Sequence, residues 1–144
     1  MDNARKEESQ NRKPLQVSEM PVYQLFHQVA LLVEQQTRNL GPDFRWLRNQ
    51  VLRSSESVCA NMTEGFYTQY STEYLQALFR CRREAQETLT HLRYGHDVQQ
   101  LSAEVFQQLE DKIQDGLRQL SALISSIERK IVERGKAKPS CATK

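Results

Sequence analysis

Apolar residues return along this chain every three or four positions, and nowhere with a period of two. That spacing places them on one face of a helix, whereas half-buried strands need strict alternation. Four stripes follow one another. The first is Val22, Phe26, Val29, Leu32 and Val33, and it stops at Asn39-Leu40-Gly41-Pro42, a strong breaker. Pro21 suits the first turn of this helix, with Ser18 as a candidate cap. The second stripe is Phe44, Leu47, Val51, Ser54, Val58 and Met62, on a helix expected from Asp43 to Glu64. Ser54, Ser55, Ser57 and Ala60 lie beside it, and small side chains let a neighbouring helix approach closely. Gly65 falls where a helix often ends in a left-handed residue.

The third stripe, Tyr74, Leu78, Cys81, Ala85, Leu89 and Leu92, predicts a helix capped by Ser71 or Thr72 and running to about Val98. Gly95 is an awkward residue near its end. The fourth is the longest: Phe106, Leu109, Ile113, Leu117, Leu120, Ile124, Ile127 and Ile131, with Ser102 as its cap and Leu123 widening the apolar face. Four amphipathic helices with short connections predict an all-α fold, an antiparallel up-and-down four-helix bundle. Its expected extent is residues 19–133, with a disordered tail at 1–18 and a basic flexible tail at 134–144. A length of 144 residues fits this single domain, and 5 Gly and 4 Pro are few enough for long helices.

Charge adds a gradient to this picture. The net charge is +2, but residues 128–144 carry six basic side chains against two acidic ones. No apolar run reaches the roughly 18 residues of a membrane span. The polar start, MDNARKEESQNRK, does not read as a signal peptide, so a cytoplasmic protein is expected. In that setting Asn61-Met62-Thr63 is no glycosylation site. Cys59, Cys81 and Cys141 are then reduced thiols, the first two at core positions.

Catalytic patterns are missing. There is no Gly-x-Ser-x-Gly, no P-loop and no Glu-x-x-His pair of the kind that holds two metals in a bundle. Glu87 and His91 share a helical face without a second partner motif, and His27 and His96 stand alone. The expectation is therefore no enzyme, no metal, no cofactor and no small-molecule substrate. Asn61 and Glu64 lie beside the apolar seam of helix two and are expected to be buried. Glu87 would face them across the bundle, and hydrogen bonds there would fix helix register.

Arginines are the strongest remaining signal. Arg38, Arg45, Arg48 and Arg53 crowd the first half of the chain, and Arg80, Arg82, Arg83 and Arg93 the third helix. Between residues 21 and 127 there is one lysine, so the preference is for guanidinium. Guanidinium groups pair bidentately with phosphate and equally with carboxylate. Glu110, Asp111 and Asp115 are available as acidic partners on helix four, so phosphate binding and salt bridges both remain open. Leu31, Trp46, Leu52, Leu75 and Phe79 lie off the main stripes, a surplus of apolar surface that suits subunit contact.

The stretch SSESVCANMTEGF resembles the signature of small bacterial four-helix-bundle proteins first noticed in intervening sequences of large-subunit ribosomal RNA genes. Ser57, Val58, Ala60, Asn61, Met62, Glu64, Gly65 and Phe66 match it, while Cys59 stands at a usual proline and Thr63 at a usual alanine. Arg53 upstream, Ser71 with Glu73-Tyr74, and Glu87 extend the likeness over about residues 22 to 131. The resemblance implies a bundle assembled into a homopentameric ring. One similar branch comprises accessory variability proteins of diversity-generating retroelements, which bind a reverse transcriptase and its template RNA and support mutagenic cDNA synthesis without being catalysts. By that resemblance the chain is an oligomeric adaptor, with Arg45, Arg48, Arg80, Arg82, Arg83 and Arg93 as candidate contacts for RNA or a partner. Arg53, Ser57, Asn61, Glu64, Gly65 and Glu87 are the structural motif. The alternative is an orphan structural bundle with no nucleic-acid role. One departure stands out: the link Tyr67-Thr68-Gln69-Tyr70 is uncharged where the family often carries basic residues. Tyr67 and Tyr70 suit base stacking and equally suit covering the helix joint. Five copies would carry a net charge of about +10.

Overall fold

The computed structural model describes residues 13–137. Among them there are four long helices and no strand: α1 (Pro21–Gln36), α2 (Arg45–Phe66), α3 (Ser71–Asp97) and α4 (Ala103–Ala137). Each helix packs on its neighbours in sequence and α4 closes back onto α1, while among the described residues the diagonal pairs bring no Cα atoms within 8 Å of each other. Contacts run antiparallel: Asn61 meets Arg80 while Ser54 meets Thr88, and Ser71 meets Arg134 while Arg93 meets Glu110. This is an up-and-down four-helix bundle.

The four sequence stripes converge on its axis. Phe26, Val33, Val51, Val58, Met62, Leu78, Cys81, Leu92, Leu109, Ile113 and Leu120 are all shielded from solvent. A fully buried apolar side chain of this size contributes about 1.5–3 kcal/mol relative to leaving it exposed. Close helix approaches depend on glycine at two crossings. At Gly116 an added Cβ would come within 2.6 Å of the Phe26 ring. At Gly65 it would overlap the Ala77 Cβ outright and lie 3.1 Å from the Tyr74 ring. Gly65 was expected to stop α2 in a left-handed conformation. Instead it is a buried helical residue without positive φ, followed by Phe66, and it lets α3 start close against α2.

Other boundaries move slightly. Ser18 does not cap α1. Met20 is its N-cap, Pro21 its first residue, and Ser18 belongs to a 3-10 turn over Val17–Glu19. Asp43 lies in a second 3-10 turn, Pro42–Phe44, so α2 begins at Arg45. Ser71 is the first residue of α3, after Tyr70 as N-cap. Ser102 does cap α4: its Oγ accepts the Val105 N–H at 3.2 Å. The α3–α4 turn uses Gln99 at φ 66, which lets Gln100 and Leu101 both donate to the Gly95 carbonyl.

The expected tail at 1–18 is shorter where it is described. Val17 is buried in the core together with Met20. The Val17 N–H donates to the Tyr67 hydroxyl at 3.4 Å, and the Tyr74 hydroxyl points to Met20 Sδ at 3.7 Å. A strap thus crosses the α2–α3 joint, and α4 runs to Ala137, past the boundary expected at 133. Residues 1–12 and 138–144, with Cys141 and most of the basic tail, lie outside the described residues.

Candidate partner and nucleic-acid interface

Four of the motif residues, Arg53, Ser57, Asn61 and Glu87, join one polar ladder along the outer α2–α3 seam. The ladder exists because α2 repeats polar residues at Arg53, Ser57 and Asn61, one per turn, and α3 answers with Arg80, Glu84 and Glu87 in antiparallel register. Asn61 Nδ2 donates to the Ser57 carbonyl and to Ser57 Oγ, both at 2.9 Å. Its Oδ1 accepts from Arg80 Nε at 3.0 Å, so both ends of the amide are engaged. Arg53 donates from Nη1 to Glu84 Oε2 at 3.4 Å and from Nη2 to Glu87 Oε1. His91 Nε2 lies 3.4 Å from the same Glu87 oxygen. Behind the ladder the buried Thr88 and Ser54 hydroxyls share a hydrogen bond of 2.8 Å.

Three expectations for this seam change. Glu64 is exposed rather than buried, because it lines an open cleft with Thr68, Gln76 and Arg80. Asn61 is half-buried, at the rim of the interface. Glu87 faces Arg53 and His91, not Asn61 and Glu64. The buried carboxylate is Glu84, one helical turn before Glu87, and it was missed. Its only sequence signal is that residues 84 and 87 share a face opposite Arg53.

The local electrostatics follow the ladder. For Glu87, desolvation pushes the carboxyl pKa up, but hydrogen bonds and charge attraction from Arg53 and His91 outweigh it and hold the group below its ordinary value. Burial pushes both the Cys59 and the Cys81 thiol up to about 12, which keeps them neutral packing residues. Among the described residues no three His, Cys, Asp or Glu side chains gather as metal ligands. His27 stacks on Tyr23, and His96 stacks on Phe106 while its Nδ1 lies 3.2 Å from the Leu101 carbonyl.

The arginines separate into two groups. Arg80 is held by Asn61, Arg93 donates to Glu110 at 3.3 Å, and Arg48 lies 3.5 Å from Glu34. Arg45, Arg82 and Arg83 are exposed and meet no carboxylate among the described residues. Arg82 stacks over Phe79, its guanidinium carbon 5.1 Å from the ring centre. Phe79, Arg82 and Arg83 therefore form an exposed aromatic and cationic patch on one turn of α3. Near the other end of that helix, Trp46 and Tyr94 pair at 5.7 Å between ring centres, both about half exposed.

The aromatic link between α2 and α3 is mostly structural. Phe66 meets both Tyr67 and Tyr74 edge-on, and the Tyr67 hydroxyl holds the strap. Tyr70 is the ring that the described contacts leave unused.

The described residues thus form an antiparallel four-helix bundle with an ion-paired outer seam. The chain belongs to the 23S rRNA-intervening sequence protein family, matched over residues 18–122. That span takes in α1, α2, α3 and more than half of α4, including every motif residue of the seam. No curated protein matches the sequence. No helix among the described residues is long and apolar enough to cross a membrane.

Proposed function

We propose that this chain is a non-enzymatic, cytoplasmic, oligomeric adaptor whose α3 face binds RNA and, with it, a reverse transcriptase, as the retroelement accessory proteins it resembles do. The observation that carries the RNA contact is the Phe79, Arg82 and Arg83 patch. Two guanidinium groups without carboxylate partners stand beside an exposed ring, and this combination meets both the phosphate charge and the face of an unpaired base. The reverse transcriptase rests on the family resemblance.

Self-association is the second part of the proposal, with the homopentameric ring as its form. Leu31, Trp46, Tyr94 and Val132 are exposed large apolar residues outside the α3 patch, on a chain whose core is already filled. Surface of that kind is characteristic of subunit contact. Repetition of a weak RNA contact around a ring raises avidity without a new interaction.

A structural scaffold without nucleic-acid binding is the competing reading. It is favoured by the number of arginines already engaged within the chain: Arg48, Arg53, Arg80 and Arg93. RNA retention by the purified full chain, measured with and without a reverse transcriptase, separates the two. Retention that falls steeply with salt supports the adaptor. No retention at low salt under either condition leaves the scaffold.

A further inference from the structure

At the corner where α1 turns into α2, Arg38, Arg45 and Arg48 line one open cleft of about 490 Å³ together with Leu40, Pro42 and Asn49. It lies at the same end of the bundle as the α3–α4 turn, since the Gly41 N–H donates to Gln100 Oε1 at 2.8 Å. Among the described residues one carboxylate pairs with these arginines. Glu34 accepts from Arg38 Nη2 at 2.6 Å and Nε at 2.9 Å, and lies 3.5 Å from Arg48 Nη2. Arg45 has no acidic partner among the described residues. The Nε of Arg48 is buried and has no hydrogen-bond partner. A ligand in the open cleft meets the terminal nitrogens of Arg48 rather than this shielded atom, since the side chain as a whole is 29% exposed.

Charge and acceptor geometry together select the ligand. Three guanidinium groups against Glu34 and the exposed Asp43 of the Pro42–Phe44 turn leave a positive excess, and Asp43 pairs with none of the three among the described residues. A single carboxylate from an acidic partner offers only two acceptor oxygens in one plane. A phosphomonoester near neutral pH carries about −1.5 to −2 and three acceptor oxygens, and guanidinium forks match its geometry. We propose that the Arg38, Arg45 and Arg48 cleft binds a phosphomonoester group, either the free anion or the terminal phosphate of a nucleotide chain. This site is separate from the α3 patch and does not depend on the RNA reading. Glu34 positions Arg38 and Arg48, Arg45 supplies the exposed charge, and Leu40 and Pro42 form the apolar wall.

The test is calorimetric titration of the full chain at low salt with inorganic phosphate, with a short RNA carrying or lacking a 5′ phosphate, and with an acidic peptide. Binding of inorganic phosphate is expected to weaken about tenfold in Arg45→Gln, the loss of one charge-assisted contact. Circular dichroism confirms that the variant folds, since Arg45 is exposed. Binding should also fall as pH drops below about 6, where the monoester loses its second charge. If the natural source is a nucleotide end, the 5′-phosphorylated RNA binds more tightly than both its unphosphorylated form and inorganic phosphate. If the source is the free anion, inorganic phosphate binds at least as well. Arg82→Glu with Arg83→Glu should leave inorganic phosphate binding intact, so failure of the RNA reading and failure of this one are distinguishable. No phosphate binding, binding indifferent to Arg45→Gln, or equal binding of the acidic peptide overturns the proposal.

Discussion

Arg80 Nε donates to Asn61 Oδ1 at 3.0 Å, and through this contact the motif asparagine of α2 holds an arginine of α3 in place. Asn61 Nδ2 also closes back on the carbonyl and Oγ of Ser57. Its role is to couple two helices at a fixed register. Asn61→Ala is expected to lower unfolding free energy by about 1–2 kcal/mol, the range for losing such hydrogen bonds at a partly buried site. Denaturant unfolding of the variant would show it. An unchanged midpoint would make the contact incidental.

The two kinds of glycine in the bundle should respond oppositely to alanine. Gly65→Ala forces a methyl into Ala77 at a tight crossing and is expected to cost about 1–3 kcal/mol, the range for overpacking. Gly135, near the end of α4, has nothing within 4 Å of an added Cβ. Gly135→Ala should be neutral or stabilise by up to about 1 kcal/mol through helix propensity. Thermal melts of both variants check the contrast, and Ala77→Gly should partly rescue Gly65→Ala.

That contrast also shows where sequence reasoning reached its limit. The helices were legible because the apolar period is a local property; of the expected caps only Ser102 holds, since Met20 and Tyr70 take the N-cap positions of α1 and α3. Gly65 was misread because a glycine that ends a helix and one that admits a neighbouring helix look alike along the chain. Only Ala77 opposite it decides. Gly116 has the same cause and escaped notice, since Phe26 lies ninety residues away. Glu84 was missed because its burial depends on how α3 rotates against Arg53. Of the arginines, sequence spacing identified the group but could not divide those already paired from Arg45, Arg82 and Arg83.

The Arg53, Glu84 and Glu87 cluster predicts a pH dependence. The folded-state pKa of Glu87 lies below its ordinary 4.5. A depressed pKa contributes stability that is present above the unfolded value and is lost as pH falls through the folded one. Stability should therefore decline below about pH 4.5, and Glu87→Gln should flatten that decline. Chemical denaturation at pH 6, 4 and 3 reads it. Arg53→Met should cost about 1–3 kcal/mol at pH 7, because it strands the buried Glu84 carboxylate.

Thiol chemistry offers an independent check on the core. With burial pushing the Cys59 and Cys81 thiols up to about 12, a Cys141→Ser variant should react negligibly with a thiolate-selective reagent at pH 8 while folded, and fully once denatured. Rapid labelling of the native variant would mean that α2 and α3 separate readily.

The most direct test of the adaptor role is the salt dependence of single-stranded RNA binding by the wild-type chain and by Arg82→Gln with Arg83→Gln. Each phosphate contact contributes about 0.7 to the slope of log affinity against log salt on a single strand. The expected result is weaker binding by the variant, with a slope shallower by about 0.7 for each arginine removed and an unchanged fold and oligomeric state. Identical affinity and slope in the two proteins would contradict the assignment of α3 as the RNA-binding face.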